Sequence, residues 1–216
     1  PEIISLFFHD RRNNILINNF ETGRFNSVYN LFSSKGKFIS LCEGDDFWID
    51  EYKIQKQFNR CFKNDIEICI TDYFLIKDKV FIKPKNFIKP KSEFFKLDLN
   101  KINEENYHLS HLSTFFFNRK YLEYLFNHPM LFSSWGLDTL LMPIFFENGE
   151  IYFDKQKMSC YRLNDKGLSR IKEDGSGSIY KFKLHQFEQL IVLHPKYKKF
   201  MQYKIMMNSL KYFCRS

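Results

Sequence analysis

From Phe25 to Ile76 the apolar residues alternate between a helical and a strand period, and that alternation limits the folds open to this chain. Phe25, Val28, Tyr29 and Phe32 recur at helical spacing, and "KFISLC" at 37–42 is an apolar run of strand length. In "EYKIQKQFNRCF" the residues Ile54, Phe58, Cys61 and Phe62 share one helix face, with Lys53, Lys56, Gln57 and Arg60 expected outside. Ile66, Ile68 and Ile70 then alternate with Glu67, Cys69 and Thr71, which predicts a strand over 66–76. This order predicts an α/β protein with a mixed, mostly parallel sheet flanked by helices. A chain of 216 residues holds one such domain, and 26 Phe and 12 Tyr supply a large core.

The remaining segments extend the pattern. "IISLFF" at 3–8 reads as a strand closed by the polar "HDRRNN". The stretch 77–91 carries "FIKPK" twice, and its prolines predict a lysine-rich hairpin or loop in place of a central strand. "HLSTFFFNRKYLEYL" predicts a strand and then a helix from Lys120; a helix over 137–146 is expected to kink at Pro143. "GEIYFD" reads as a short strand and "MSCYRLNDKGLSR" as an extended segment. The predicted organisation is a domain at 1–170, a Gly/Ser linker at 171–178, and a helical segment at 179–216 broken around Pro195.

Charge separates the last segment from the rest. Residues 180–216 hold eight Lys/Arg against the single acid Glu188, a net +7 out of the chain's +8. Basicity confined to a tail argues against a nucleic-acid partner and fits either an anionic membrane surface or terminal helices packed with Lys outward. No run of apolar residues is long enough to span a bilayer, and the start lacks a signal-peptide layout, so the expected location is cytoplasmic, with peripheral contact to the inner face of the plasma membrane. Five cysteines without CxxC spacing predict buried free thiols.

The segment "SLCEGDDFWID" places Glu43, Asp45 and Asp46 at the C-terminal end of the 37–42 strand, where open α/β sheets bind ligands. Crowded carboxylates repel unless a cation joins them, and oxygen ligands suit Mg²⁺ or Mn²⁺. Capping of the following helix is the other use open to the aspartates.

"KGKFISLCEGDDFWIDEYKIQKQF", residues 35–58, resembles the signature stretch of family 2 glycosyltransferases with the GT-A fold. "HLSTFFFNR", "SSWGLDTLL" and "GEIYFDKQKMSCYRLNDKGLS" resemble later landmarks of that family, in the same order. The resemblance implies transfer of a sugar from a nucleotide-diphospho-sugar, a UDP-sugar foremost, to a hydroxyl of a glycan or lipid-linked acceptor in bacterial-type surface polysaccharide synthesis. It further implies that Asp45, Asp46 and Glu43 hold a divalent cation and the donor, and that Asp138 is the base of an inverting reaction. Trp48, Trp135, His111 and Tyr161 then belong to the sugar or acceptor pocket, and Arg162 meets the departing diphosphate. Core packing remains open for each Trp, and an ordinary satisfied polar role for His111.

The family begins with a strand–helix–strand part that has no counterpart here, and the chain opens on Pro1. A trimmed or incomplete domain, with weakened nucleotide binding, is therefore expected. Three other classes compete. A nucleotidyltransferase needs a Gly-rich phosphate loop near its first strand. A degenerate, non-catalytic transferase acting as a glycan- or partner-binding module predicts no sugar-nucleotide turnover. A nucleic-acid binder requires basic residues across the domain.

Overall fold

A computed structural model describes residues 7, 9–17, 20–22, 24–82, 92–98, 111–134, 136–164 and 178–213. Along them run β1 (Ile15–Ile17), β2 (Phe20–Thr22), α1 (Arg24–Ser33), β3 (Phe38–Ser40), β4 (Phe47–Trp48), α2 (Lys53–Asn64), β5 (Ile68–Lys77), β6 (Val80–Ile82), β7 (Phe94–Lys96), β8 (Phe115–Asn118), α3 (Tyr121–Phe126), α4 (Leu137–Asn148), β9 (Ile151–Arg162), α5 (Ser178–Leu193) and α6 (Lys198–Phe213). The strand expected at 3–8, the second half of the lysine-rich stretch, Trp135 and the linker up to Ser178 lie outside the described residues.

The main sheet has the order β3-β8-β5-β9-β4, with β6 beside β5 and β7 beside β9. It is mixed but not mostly parallel: β5 and β9 form its parallel pair, and the other pairings among the described residues are antiparallel. The reason lies in β8. The strands β3 and β5, joined through α2, run in the same direction as a strand–helix–strand unit requires, but β8 inserts between them antiparallel to both.

"GEIYFD" and the segment after it form one strand of 12 residues, β9. Its register against β5 slips on either side of Asp72, where Thr71↔Asp154 is followed by Asp72↔Lys157 and Tyr73↔Ser159. Such irregularities bend a sheet. Beyond them β9 pairs with β4 at Cys160 and Ser159, so Tyr161 and Arg162 emerge beside the 41–46 loop.

α2 buries Cys61 as its apolar spacing predicts, but it turns inward the adjacent face that also carries Lys53 and Gln57. Lys53 and Gln57 are 0% exposed, while Phe62 is 76% exposed and Ile54 and Phe58 face outward. The pairing of β8 with β5 ends at Ile70↔Phe115, so Thr114, just beyond it, has a backbone carbonyl that needs a partner. Gln57 Nε2 donates to Thr114 O at 3.0 Å and Cys69 O at 3.3 Å, and Lys53 Nζ donates to Gln57 Oε1 at 2.7 Å and Ser40 Oγ at 3.0 Å. These demands rotate the helix about one position away from its apolar stripe.

The C-terminal helices share the main core. Leu190, Tyr197, Phe200 and Met201 belong to the same buried cluster as Phe115, Leu140 and Phe145, and Tyr197 stacks on Phe146 at 5.3 Å. Pro195 separates α5 from α6, as expected. Cys61, Cys69 and Cys160 are buried free thiols, whereas Cys42 is an exposed one. No described helix is long and apolar enough to cross a membrane.

Candidate active site

The chain leaves β3 at Ser40 and turns back into β4 through a tight bend in which Asp46 N donates to Glu43 O at 3.0 Å. The bend projects two carboxylates toward the single 3-10 turn Leu112–Thr114 that precedes β8. The Asp46 side chain is fully buried and satisfied from three sides. Its Oδ1 accepts the Arg162 N–H at 3.1 Å, and its Oδ2 accepts Ser113 Oγ at 2.7 Å and His111 Nδ1 at 2.9 Å. The other His111 nitrogen, Nε2, lies 3.0 Å from Glu43 Oε2.

His111 therefore bridges the two carboxylates. Burial works to lower its pKa, but the hydrogen bonds to Asp46 and Glu43 and their charges outweigh it and raise the value to about 9. The imidazole is a cation at neutral pH and donates from both nitrogens, so the 3.4 Å approach of Ser113 N–H to Nδ1 is not a bond. Its ring stacks on Tyr161 at 4.1 Å and meets Tyr73 at 6.1 Å. Glu43, Asp46 and His111 bring one ligand atom each within 4.8 Å of one another. That set contains His111, which the sequence reading assigned to the acceptor, and omits Asp45, which is exposed on the bend.

Trp48 is half-exposed at the rim. Its Nε1 donates to Ser113 O at 3.2 Å, and Lys53 Nζ sits 4.7 Å above its ring. The indole thus braces the turn that holds Asp46. The Arg162 side chain is exposed, its guanidinium 5.5 Å from the Phe47 ring, so it is available to an anion arriving over Asp46.

Asp138 lies in the first turn of α4, half-buried, with Oδ1 accepting Thr139 N–H at 2.9 Å. Burial raises its pKa, the Glu43 charge adds to that, and the His111 cation opposes it. Asp138 thus shares the field of the Glu43–His111–Asp46 cluster. The hydroxyl pKa of Tyr73, on β5, is pushed far up by burial first, then by the Asp72 and Tyr161 charges and, after them, by Asp138 and Asp46.

Sequence reading missed Ser113, Tyr73 and Gly136. Ser113 stands in a stretch read only as the start of a strand; a hydroxyl two residues after His111 was the available signal. Gly136 precedes Asp138 by two positions, and a Cβ there would meet Asp138 Oδ1 at 2.3 Å.

The mixed sheet flanked by helices is a fold that this chain shares with solved structures. The chain is similar to the solved structure of S. aureus TarS 1–349 in complex with UDP-GlcNAc, with a TM-score of 0.57 and 11% identity over 87% of this chain and 50% of that one. Another solved structure of S. aureus TarS 1–349 gives a TM-score of 0.50 and 11% identity over 76% of this chain and 43% of that one. The chain spans about half the length of these structures. No protein-family model and no curated protein matches it.

Proposed function

We propose that this protein is a metal-dependent glycosyltransferase. It moves a sugar from a nucleotide-diphospho-sugar, foremost a UDP-sugar, to a hydroxyl of a glycan or lipid-linked acceptor, with inversion, in surface polysaccharide synthesis. The observation that carries this reading is the convergence of Glu43, Asp46, His111 and the Arg162 backbone at one strand end, within the field of Asp138. The TarS structure bound to UDP-GlcNAc supports it through the shared fold.

The residues suit a divalent ion. With one ring proton of His111 displaced, two carboxylates and a neutral imidazole within 4.8 Å would form an oxygen–nitrogen donor set, which favours Mn²⁺ over Mg²⁺ because Mg²⁺ prefers oxygen alone. When bound, such an ion neutralises the diphosphate as it leaves. Arg162 adds a fork of donors that matches phosphate oxygens. Asp138, made more basic by burial and Glu43, takes the proton of the acceptor hydroxyl. The freed oxygen bonds to the anomeric carbon from the face opposite the leaving group. The carbon–phosphate oxygen bond breaks, its electron pair departs with the nucleoside diphosphate, and the configuration inverts.

One observation favours the non-catalytic binding module instead: both Asp46 oxygens are already satisfied by protein donors, as in a structural carboxylate. Thermal stabilisation by nucleoside diphosphates with Mn²⁺, together with turnover of UDP-sugars, separates the readings. The transferase reading expects stabilisation by UDP that disappears in Asp46→Asn, and measurable turnover in the parent. Absence of stabilisation by any nucleoside diphosphate overturns it.

A further inference from the structure

Arg24, the first residue of α1, is 5% exposed, and its Nε and both terminal nitrogens are buried without a hydrogen-bond partner. A guanidinium offers five donors and no acceptor, so an unpaired one in a protein interior is strongly disfavoured. Burial lowers its pKa to about 10, with the Asp138 charge pulling the other way. Asp138 does not neutralise it by contact, since the Oδ1 of that carboxylate is engaged by Thr139 N–H and no Arg24 nitrogen is bonded. The first turn of α1 contains no acid, so the positive end of the helix dipole adds to the guanidinium charge.

The Arg24 charge is felt by one ring of a buried histidine pair. His128, whose pKa is depressed by burial first and by the charges of His194 and Arg24, accepts Met130 N–H on Nδ1 at 3.1 Å. Its proton therefore sits on Nε2, facing His194 Nε2 at 2.9 Å, which leaves the His194 proton on Nδ1, buried and unpartnered. At Arg24 itself the donors lack an acceptor, and a group that pairs with them carries acceptors.

We infer that the start of α1 is a phosphate-binding site in which the Arg24 guanidinium grips two oxygens of the anion. Guanidinium and helix dipole together favour a dianionic phosphate over a singly charged carboxylate. Because the Arg24 nitrogens are closed to water, entry requires the side chains over them to move aside. The phosphate comes from one of two sources, the diphosphate of the donor or a phosphate borne by the acceptor. That choice rests on the transferase reading, whereas the site itself does not.

The test compares wild type with Arg24→Met and Arg24→Lys by thermal unfolding at constant ionic strength while inorganic phosphate is titrated, with UDP and Mn²⁺ titrated separately. In phosphate-free buffer Arg24→Met is expected to melt above wild type, because an unpaired buried cation is gone. Its apparent affinity for phosphate is expected to fall about tenfold or more, with Arg24→Lys between the two. A parallel loss of UDP affinity assigns the phosphate to the donor; unchanged UDP affinity assigns it to the acceptor. The site is refuted if phosphate stabilises all three alike, or if Arg24→Met melts below wild type in phosphate-free buffer. Should Arg24→Met fail to fold, undiminished phosphate stabilisation of Arg24→Lys refutes it on its own. UDP binding that persists through any of these failures leaves the transferase reading standing.

Discussion

Gly136 has room for no side chain while Asp138 keeps its place, since a Cβ would lie 2.3 Å from Asp138 Oδ1 and 3.3 Å from Thr139 Oγ1. The carboxylate is the end of a movable side chain, so Gly136→Ala is expected to swing it off Thr139 N–H without unfolding α4. A displaced base costs rate more than binding, and we expect turnover of a UDP-sugar to fall by roughly 10–100-fold. Mn²⁺-dependent stabilisation by UDP should be unchanged, because Asp46 and its partners are untouched. A matching loss in both measurements would show that Gly136 supports the whole site and not Asp138. The acidic half of this site was legible, as carboxylates crowded at a strand end. Its other half was not: Ser113 and His111 reach Asp46 across 67 and 65 positions of chain, a contact that only the pairing of β3 with β8 creates.

At the scale of elements, α2 shows why pattern alone misleads. Of its stripe of Ile54, Phe58, Cys61 and Phe62 only Cys61 is buried, since apolar spacing records which residues prefer burial but not which backbone groups need partners. Gln57 answers such a need at two carbonyls, from Thr114 and Cys69, and also holds Lys53. Gln57→Leu preserves volume and helix propensity but strips those bonds from a site that is 0% exposed. We expect a loss of about 1–3 kcal/mol in denaturant unfolding. If Gln57→Leu instead matches the parent, the apolar term dominates at this face after all. Elements whose period and punctuation agree were legible without the fold: α1, β3, α4 with its internal Pro143, and the α5–α6 break at Pro195. The direction of the sheet was not, because the antiparallel insertion of β8 has no local signature.

Across the whole molecule, the C-terminal helices and the α/β domain meet in one core, and the His128–His194 pair sits on that seam. The two rings stack at 5.2 Å, nearly parallel, with Nε2 facing Nε2. Only one proton fits between those nitrogens, so the pair is stable with both rings neutral. Burial first, then the His194 and Arg24 charges, lower the His128 pKa to about 4, and burial lowers that of His194. Glu123 lines the adjoining cavity and is the acid that faces the pair there. The unfolded chain takes up these protons near the ordinary histidine value of about 6.5, before the folded chain does. The contribution to stability is therefore complete above pH 6.5 and is lost as pH falls toward 4. His128→Gln can accept Met130 N–H and donate to His194 Nε2 as His128 does, but it does not titrate. The melting temperature of the parent should thus fall more steeply than that of His128→Gln between pH 6.5 and 4, and the two should run parallel above it. Parallel curves throughout would mean that the seam admits protons freely, and that the helices are held by contacts other than the histidine pair, Leu190, Tyr197, Phe200 and Met201 among them.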